Sequence, residues 1–241
     1  MQTRFARPVK RVKLILPPLH DGQKAIFHDP HRIVVATAGS KFGKTWCMCM
    51  WLLQQAWNRD GSVNWWVAPV FKQAQIAYRL IESLIPKHLC RPNKTEMSIE
   101  LLRTDGSARS RIDFKSADNP ASIRGEGVHA AVGDEAAYWV HDAYVSLWTT
   151  LSRTRGKLRL ISTPKGRNAF YDEFLKGGNP DFPEFASYQL PTWLNPTVSK
   201  EAIEEFRRNM PADVFRQEIC AEFLEDGAGV FRFITNAPFW R

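Results

Sequence analysis

Residues 33–45 read IVVATAGSKFGKT, a β-branched run that enters a turn of small residues and then opens into a helical pattern. A strand, a small-residue turn ending in GKT and a helix, in this order, predict a phosphate-binding P-loop. In this motif backbone N–H groups surround phosphate oxygens, Lys44 reaches the β- and γ-phosphates, and the Thr45 hydroxyl binds Mg²⁺. The predicted nucleotide-binding residues of the turn are Ala38, Gly39, Ser40, Lys41, Phe42, Gly43, Lys44 and Thr45.

The competing interpretation of this stretch is a glycine turn before a helix, in which Lys44 is merely solvated. Ala38 stands where a P-loop usually has its first glycine. The context favours the P-loop, because the strand directly upstream and the helical pattern directly downstream are what this motif requires. The sequence therefore predicts a site for ATP and Mg²⁺.

A second motif lies downstream, where the mostly apolar run 128–133 ends in Asp134-Glu135. An apolar strand that ends in two acids is typical of a Walker B motif, with Asp134 holding Mg²⁺ and Glu135 polarising the attacking water. Many strands end in acids, so the position downstream of a P-loop is what gives this pair its weight. Kinases need no such base, because their nucleophile is a substrate group. The adjacent acids therefore favour ATP hydrolysis over phosphoryl transfer to a substrate.

Further candidate residues flank these two motifs. Gln23 is a candidate for adenine recognition, because its amide offers both a donor and an acceptor; the alternative is an exposed helix residue. The predicted strand 158–162 leads into a pair of hydroxyl side chains, Ser162 and Thr163. Pro164 follows them. Groups at the carboxyl end of a parallel strand lie near the bound ligand. These residues are therefore predicted to sense the γ-phosphate and to relay its loss.

The chain carries 33 Lys and Arg against 25 Asp and Glu, a net charge of +8 that favours a polyanionic partner. A basic turn at Arg153, Arg155 and Lys157 is the candidate surface for duplex DNA, although the same residues equally suit a subunit contact. With 44% hydrophobic and 24% charged residues the chain is expected to be globular. No apolar run reaches membrane-spanning length, so no membrane contact is expected.

Strands alternating with helices predict an α/β fold built on a mostly parallel, doubly wound sheet, the P-loop NTPase type with an additional catalytic glutamate. The predicted division is a basic N-terminal arm at 1–16, a P-loop ATPase core at 17–176, and a small α-rich lid at 177–225 that forms the C-terminal part of the ATPase domain. Residues 226–241 are predicted to begin a linker.

Taken together, these motifs resemble those of the ATPase half of the large terminase subunit, the DNA-packaging motor of tailed bacteriophages and herpesviruses. The resemblance covers residues 15–225. Gln23 falls at the family's adenine-reading glutamine, and Lys41 falls at a basic P-loop position where arginine is more usual. Arg124-Gly125 matches the family's Arg-Gly loop, and the segment 162–166 matches its coupling motif.

The resemblance implies a motor domain that hydrolyses ATP with Mg²⁺ and drives double-stranded DNA into a procapsid. It makes Arg124 a candidate arginine finger for a neighbouring subunit's nucleotide, with Glu135, Lys44 and Lys41 as the other catalytic candidates. An ion pair between Arg124 and an acid of its own loop is the alternative. The implied partners are the portal and procapsid, the small terminase subunit and further copies in a homo-oligomeric ring, expected to be a pentamer.

The resemblance also implies a location in the host cytoplasm rather than in the mature virion. Family members continue into a nuclease domain, whose carboxylate cluster is not expected within this chain. Two other functions remain open from the sequence. A helicase-like translocase has the same order of motifs but needs a second motor domain, and a P-loop regulatory protein would bind nucleotide without turnover. The Asp134-Glu135 pair argues against the regulatory protein.

Overall fold

In the computed structural model, which describes residues 14–225, the β-branched and apolar runs of the chain form one sheet of eight strands. The strands are β1 (Ile33–Ala38), β2 (Val63–Ala68), β3 (Cys90–Asn93), β4 (Ser98–Leu102), β5 (Ala108–Ser116), β6 (Ala130–Asp134), β7 (Lys157–Ser162) and β8 (Phe185–Leu190). The helices are α1 (Asp21–His28), α2 (Lys44–Asn58), α3 (Phe71–Leu84), α4 (His141–Ser152), α5 (Ala169–Lys176), α6 (Lys200–Asn209) and α7 (Ala212–Glu218).

The sheet order is β3-β4-β5-β2-β6-β7-β1-β8, and all neighbours from β5 to β8 are parallel. Only the hairpin-connected strands β3, β4 and β5 pair antiparallel, at one edge. The turn at residues 105–106 lies between β4 and β5, where Gly106 has a φ of 82°. Because parallel strands share one direction, β1, β6 and β7 all end at the same edge of the sheet.

Helices cover both faces of the sheet, as the predicted doubly wound fold requires. One face carries α1, α2 and α3 over a core that includes Ile26, Trp51 and Ile81. The other face carries α4 and α5, with Leu147 and Phe170 in its core. Helix α2 is buried nearly all round, and this explains its almost uninterrupted apolar sequence.

The predicted boundary of the α-rich lid at residue 177 is too early. Strand β8 pairs in parallel with β1 along its whole length, from Ile33 opposite Phe185 to Ala38 opposite Leu190. Without β8, the backbone groups along that side of β1 would have no partner strand. The α-rich part of the described chain therefore follows Leu190, where a separate small core contains Ile203, Phe215 and Ile219.

The structure describes little of the predicted N-terminal arm and none of the predicted linker. Residues 1–13 of the predicted arm and all of the predicted linker at 226–241 fall outside the described residues. Across residues 14–225, no helix has the length and apolar character needed to cross a membrane.

Candidate nucleotide site

The candidate site lies where β1, β6 and β7 end, and the P-loop turn supplies one side of it. Gly43 begins α2 with a φ of 90°, a left-handed conformation that favours glycine. A side chain at this position would also meet Gln23, whose Nε2 lies 2.7 Å from the place of the missing Cβ. The turn therefore needs glycine both for its conformation and for its contact with α1.

Lys44 and Glu135 come together across the site. The Nζ atom of Lys44 lies 3.2 Å from Oε1 of Glu135, and the lysine is buried at 8% exposure. Glu135 itself has a left-handed backbone, with φ 45° and ψ 46°. Such a conformation costs a non-glycine residue roughly 1–3 kcal/mol and is found most often at functional sites. The sequence-predicted base is thus held in an unfavourable conformation against the P-loop lysine.

The second oxygen of Glu135 contacts the end of β7. Its Oε2 accepts hydrogen bonds from the Ser162 hydroxyl at 3.0 Å, the Thr163 backbone N–H at 3.3 Å and the Thr163 hydroxyl at 3.4 Å. Lysine on one oxygen and three donors on the other fix the orientation of the carboxylate. The predicted coupling residues Ser162 and Thr163 therefore contact the predicted base directly, while Pro164 follows them in the chain.

Asp134 lies beside the first residues of α2. The Thr45 hydroxyl donates to its Oδ1 at 3.5 Å, so the two predicted Mg²⁺ ligands are neighbours. Burial raises the pKa of Asp134 to about 7; the negative charge of Glu135 adds to this shift and Lys44 opposes it. A hydroxyl and a carboxylate side by side are oxygen donors of the kind that Mg²⁺ prefers.

A cavity of about 380 Å³ opens above these residues. Its lining comprises Ser40, Lys44, Pro69, Val70, Gln73, Glu135, Tyr138, Thr163 and Glu218. Glu218 was not among the sequence-predicted residues. Its Oε2 accepts a hydrogen bond of 2.7 Å from the Ser40 hydroxyl, although the two residues are 178 positions apart. Helical spacing in the sequence around Glu218 gives no signal of this contact.

The α-rich part of the chain holds the backbone of the P-loop. The Ser40 N–H donates to the Glu218 carbonyl, and the Thr192 hydroxyl donates to the Ser40 carbonyl, both at 2.7 Å. The amide of Asn195 donates to the Lys41 carbonyl, also at 2.7 Å. Side-chain and backbone groups after residue 190 thus hold the turn in addition to its contacts with α1.

Gln23 is buried and forms a hydrogen bond to the P-loop rather than lying exposed on its helix. It is 5% exposed; its Nε2 donates to the Gly43 carbonyl at 3.1 Å, and its Oε1 accepts from the His20 backbone N–H at 3.2 Å. The alternative of an exposed helix residue is therefore wrong. One amide hydrogen and one lone pair remain for another partner, so adenine recognition by Gln23 stays a prediction.

Arg124 lies away from this cavity, whose lining it does not join. The residue is exposed, and its Nε donates to the Ser146 hydroxyl at 3.2 Å. The acid of its own loop, Glu126, instead pairs with Arg111. Across residues 14–225 no ion pair involves Arg124, so the alternative of a loop ion pair is wrong.

The remaining basic candidates are also exposed. Lys41 has a left-handed φ of 65° within the P-loop, and its side chain is exposed to solvent. Arg153 and Arg155 lie between α4 and β7, and Lys157 is the first residue of β7. They therefore lie at the amino end of that strand, at the sheet edge opposite the P-loop.

Comparison with known proteins gives a consistent family. The family model described as "Terminase large subunit, T4likevirus-type, N-terminal" matches residues 35–235. The large terminase subunit of Thermus phage G20c is 30% identical over 247 residues, covering 88% of this chain and 50% of that protein. That of Escherichia phage T5 is 31% identical over 202 residues, covering 81% and 45%. The chain thus spans about half the length of the curated relatives it matches.

Solved structures share the fold described above. The large terminase ATPase domain of Thermus phage P74-26 superposes with a TM-score of 0.76 at 28% identity, over 86% of this chain and 94% of that one. The large terminase of bacteriophage HK97 gives a TM-score of 0.71 at 16% identity, over 86% and 51%. At this lower identity the likeness concerns the fold alone.

Proposed function

This chain belongs to the large terminase subunit family, and from that premise we propose that its cavity binds ATP with Mg²⁺ and hydrolyses the terminal phosphate. The observation that carries the proposal is the position of Glu135 on the cavity wall, held by Lys44 on one oxygen and by Ser162 and Thr163 on the other. The likeness to the P74-26 large terminase ATPase domain, at 28% identity, supports it.

Each residue of the site has a distinct proposed task. Lys44 and the P-loop N–H groups bind the β- and γ-phosphates, while Thr45 and Asp134 hold the metal ion. Bound between Thr45 and Asp134, Mg²⁺ would supply positive charge to the phosphate oxygens. Glu135 accepts a hydrogen bond from the attacking water and orients it. A γ-phosphate would compete with Glu135 for Lys44, because the two side chains form an ion pair.

The contacts of Glu135 also suggest how hydrolysis is communicated. Ser162 at the end of β7 and Thr163 directly after it donate to one oxygen of the Glu135 carboxylate. The other oxygen pairs with Lys44, the lysine that would bind the γ-phosphate. Loss of the γ-phosphate therefore alters the hydrogen bonds that Ser162 and Thr163 donate to Glu135. The α-rich part of the chain would respond as well, because Glu218 bonds to the P-loop through Ser40.

At the level of the whole protein, we propose the N-terminal motor part of a viral packaging machine that translocates double-stranded DNA into a procapsid. The family membership and the net charge of +8 support this role. The proposed partners are the portal, the small terminase subunit and further copies in a ring, in the host cytoplasm. Arg124 does not line the cavity of its own chain, so a finger role would require a nucleotide held by another copy.

Phosphate release from ATP tests the proposal. General-base catalysis contributes typically about 10²–10⁴-fold, so Glu135→Gln should lower turnover by that factor while ATP binding is retained. Glu205→Gln, an exposed carboxylate of α6, is the matched control and should turn over ATP like the wild type. Unchanged turnover in Glu135→Gln would contradict the role of Glu135 in hydrolysis. No turnover in the wild type would favour a nucleotide-binding protein without catalysis.

A further inference from the structure

A buried hydroxyl lies in β1 directly before the P-loop turn. It belongs to Thr37, which is completely buried. Among the described residues, its Oγ1 atom has no hydrogen-bond partner. Gln189, which is opposite Thr37 in β8, donates instead to the Cys220 carbonyl at 3.4 Å. A buried hydroxyl without a partner is costly and rare in folded proteins, so the presence of this one calls for a reason.

Thr37 lies beside a residue of the nucleotide site. Strands β1 and β7 are parallel neighbours, and Thr37 is opposite Ser162 in their register. Two residues earlier, Val35 is opposite Leu160, and both belong to the core under α4 and α5. Because side chains alternate between the faces of a sheet, Thr37 and Ser162 point to this same face, on backbones about 4.8 Å apart. The two hydroxyls are therefore neighbours.

Ser162 links Thr37 to the carboxylate of Glu135. Asp134 at the end of β6 is opposite Ile161 of β7, so Glu135 comes next to Ser162. The Ser162 hydroxyl donates its single hydrogen to Oε2 of Glu135 at 3.0 Å. Glu135, Ser162 and Thr37 thus follow one another in a row across the carboxyl ends of β6, β7 and β1.

The donors to Glu135 differ in what can replace its carboxylate once that group turns to the attacking water. Thr163 lines the cavity, so its N–H and hydroxyl can meet a phosphate or solvent there. Ser162 is 0% exposed and does not belong to the cavity lining. Its hydroxyl then needs an acceptor inside the protein. The Oγ1 atom of Thr37, on the adjacent strand and with no other bond in the described residues, is such an acceptor.

We propose that Thr37 is a positioning residue of the nucleotide site, whose hydroxyl takes over the hydrogen bond of Ser162 when Glu135 turns to the attacking water. Rotation of the two side chains about their Cα–Cβ bonds is sufficient, because the sheet already holds the two backbones side by side. The exchange moves a hydrogen bond and breaks no covalent bond. The inference rests on the proposed ATP hydrolysis.

Two substitutions at Thr37 separate its hydroxyl from its packing. Thr37→Val keeps the branched shape and removes the hydroxyl, so the Tm should stay unchanged or rise, because an unpaired polar group leaves the core. Thr37→Ser keeps the hydroxyl and removes a methyl group, and the cavity left behind should lower the Tm by about 2–4 °C. Thermal unfolding without nucleotide measures both values.

Turnover should rank the same two variants in the reverse order. The kcat of Thr37→Val should fall about fivefold or more at unchanged KM, because the Ser162 hydroxyl loses its second acceptor. Thr37→Ser should lower kcat by less than about twofold, because it retains that acceptor. Thr149→Val, the same substitution at an exposed hydroxyl of α4, is the matched control and should change neither Tm nor kcat. In a Ser162→Ala background, Thr37→Val should lower kcat no further.

Binding of a transition-state analogue gives a measurement that does not depend on turnover. ADP with Mg²⁺ and aluminium fluoride imitates the phosphoryl group during its transfer to water, whereas ADP alone lacks this group. By calorimetry, Thr37→Val should bind the aluminium fluoride complex about fivefold or more weakly than the wild type does. Its affinity for ADP alone should be that of the wild type.

Equal kcat and equal analogue affinity in Thr37→Val and the wild type would overturn the proposal. A fall in kcat for Thr37→Ser as large as that for Thr37→Val would also overturn it, because altered packing would then explain both. Absence of turnover in the wild type would overturn the proposed hydrolysis together with this inference. A wild type that hydrolyses ATP and a Thr37→Val variant that behaves identically would overturn this inference alone.

Discussion

Two buried charged clusters lie at opposite ends of the same sheet, and they differ in what their charges face. At the carboxyl ends of β1 and β6, Lys44 and Glu135 line an open cavity, and the buried Asp134 lies next to them. Near the amino end of β1, the Arg159 side chain is 1% exposed and lies over the Trp51 ring at 4.6 Å. The first cluster is open to a ligand, and the second is closed.

The closed cluster directs its hydrogen bonds into the protein. The guanidinium of Arg159 donates to the main-chain carbonyls of Asp29 at 2.8 Å and His31 at 3.1 Å. The Asp29 carboxylate accepts from the Tyr188 hydroxyl at 2.5 Å and from the His31 backbone N–H at 2.7 Å. Burial lowers the pKa of Arg159 to about 10, so the guanidinium stays charged at neutral pH.

The difference teaches that buried charge alone does not identify a functional site. In the closed cluster these contacts join β7 and β8 to the segment between α1 and β1, and their effect should be on stability. In the open cluster a strained glutamate and a lysine meet across a cavity, and their effect should be on ligand binding and turnover. Variants in the two clusters should therefore change different measured quantities.

The largest effect on stability is expected from Arg159→Ala. The substitution leaves main-chain carbonyls without donors and a void over Trp51, which together should cost about 3 kcal/mol of unfolding free energy. For a chain of this size that corresponds to a fall in Tm of about 6–12 °C. Nucleotide affinity of the folded variant should remain that of the wild type.

Arg91→Ala is the matched control, because Arg91 also lies on a strand but is 66% exposed in its pair with Glu100. It should cost no more than about 0.5–1 kcal/mol by chemical denaturation. Equal destabilisation by the two arginine variants, or loss of nucleotide binding in Arg159→Ala, would break the distinction between the clusters.

Lys44→Ala should have the opposite effect from Arg159→Ala: it should weaken ATP binding and leave the unfolding free energy nearly unchanged. Loss of a charge-assisted contact with phosphate is worth about 1.5–3 kcal/mol, so the Kd for ATP should rise about 10–150-fold by calorimetry. The unfolding free energy without nucleotide should change by less than about 1 kcal/mol, because Glu135 keeps its three donors from Ser162 and Thr163. Lys24→Ala, at an exposed lysine of α1, is the control and should change neither the Kd for ATP nor the unfolding free energy. ATP binding by Lys44→Ala equal to that of the wild type would refute the assignment of Lys44 to the phosphates.

A smaller, pH-dependent effect is expected from Tyr188→Phe. Burial acts to raise the pKa of Asp29, but hydrogen bonds from Tyr188 and His31 outweigh it and hold that pKa below its usual value. A lowered carboxyl pKa stabilises the fold above the unfolded-state value, and this contribution is lost as the pH falls through the folded-state value. Tyr188→Phe should thus cost about 1 kcal/mol at pH 7 and less near pH 3, by urea denaturation. A cost independent of pH would mean that the hydroxyl does not act through ionised Asp29.

How much of the structure the sequence predicts depends on how far apart in the chain the contacting residues are. Lys44, Thr45, Asp134 and Glu135 belong to short motifs whose chemistry requires neighbouring residues, so local pattern was sufficient to find them. Their convergence follows from parallel strands ending at one edge.

Contacts between segments that are distant in the chain cannot be predicted from local sequence patterns. The bond between Ser40 and Glu218 joins positions 178 apart, and no local feature of either segment predicts it. No local feature of residues 185–190 indicates that strand β8 pairs with β1, and the predicted lid boundary is therefore misplaced. The cavity that both Arg124 and Arg153 line likewise depends on how α4 packs against the loop after β5.

The most direct test of the open cluster is a crystal structure of the Glu135→Gln variant with ATP and Mg²⁺. The account predicts the γ-phosphate beside Nζ of Lys44, with the metal ion next to the Thr45 hydroxyl and the Asp134 carboxylate. A triphosphate bound outside this cavity, or a metal ion remote from Asp134, would contradict it.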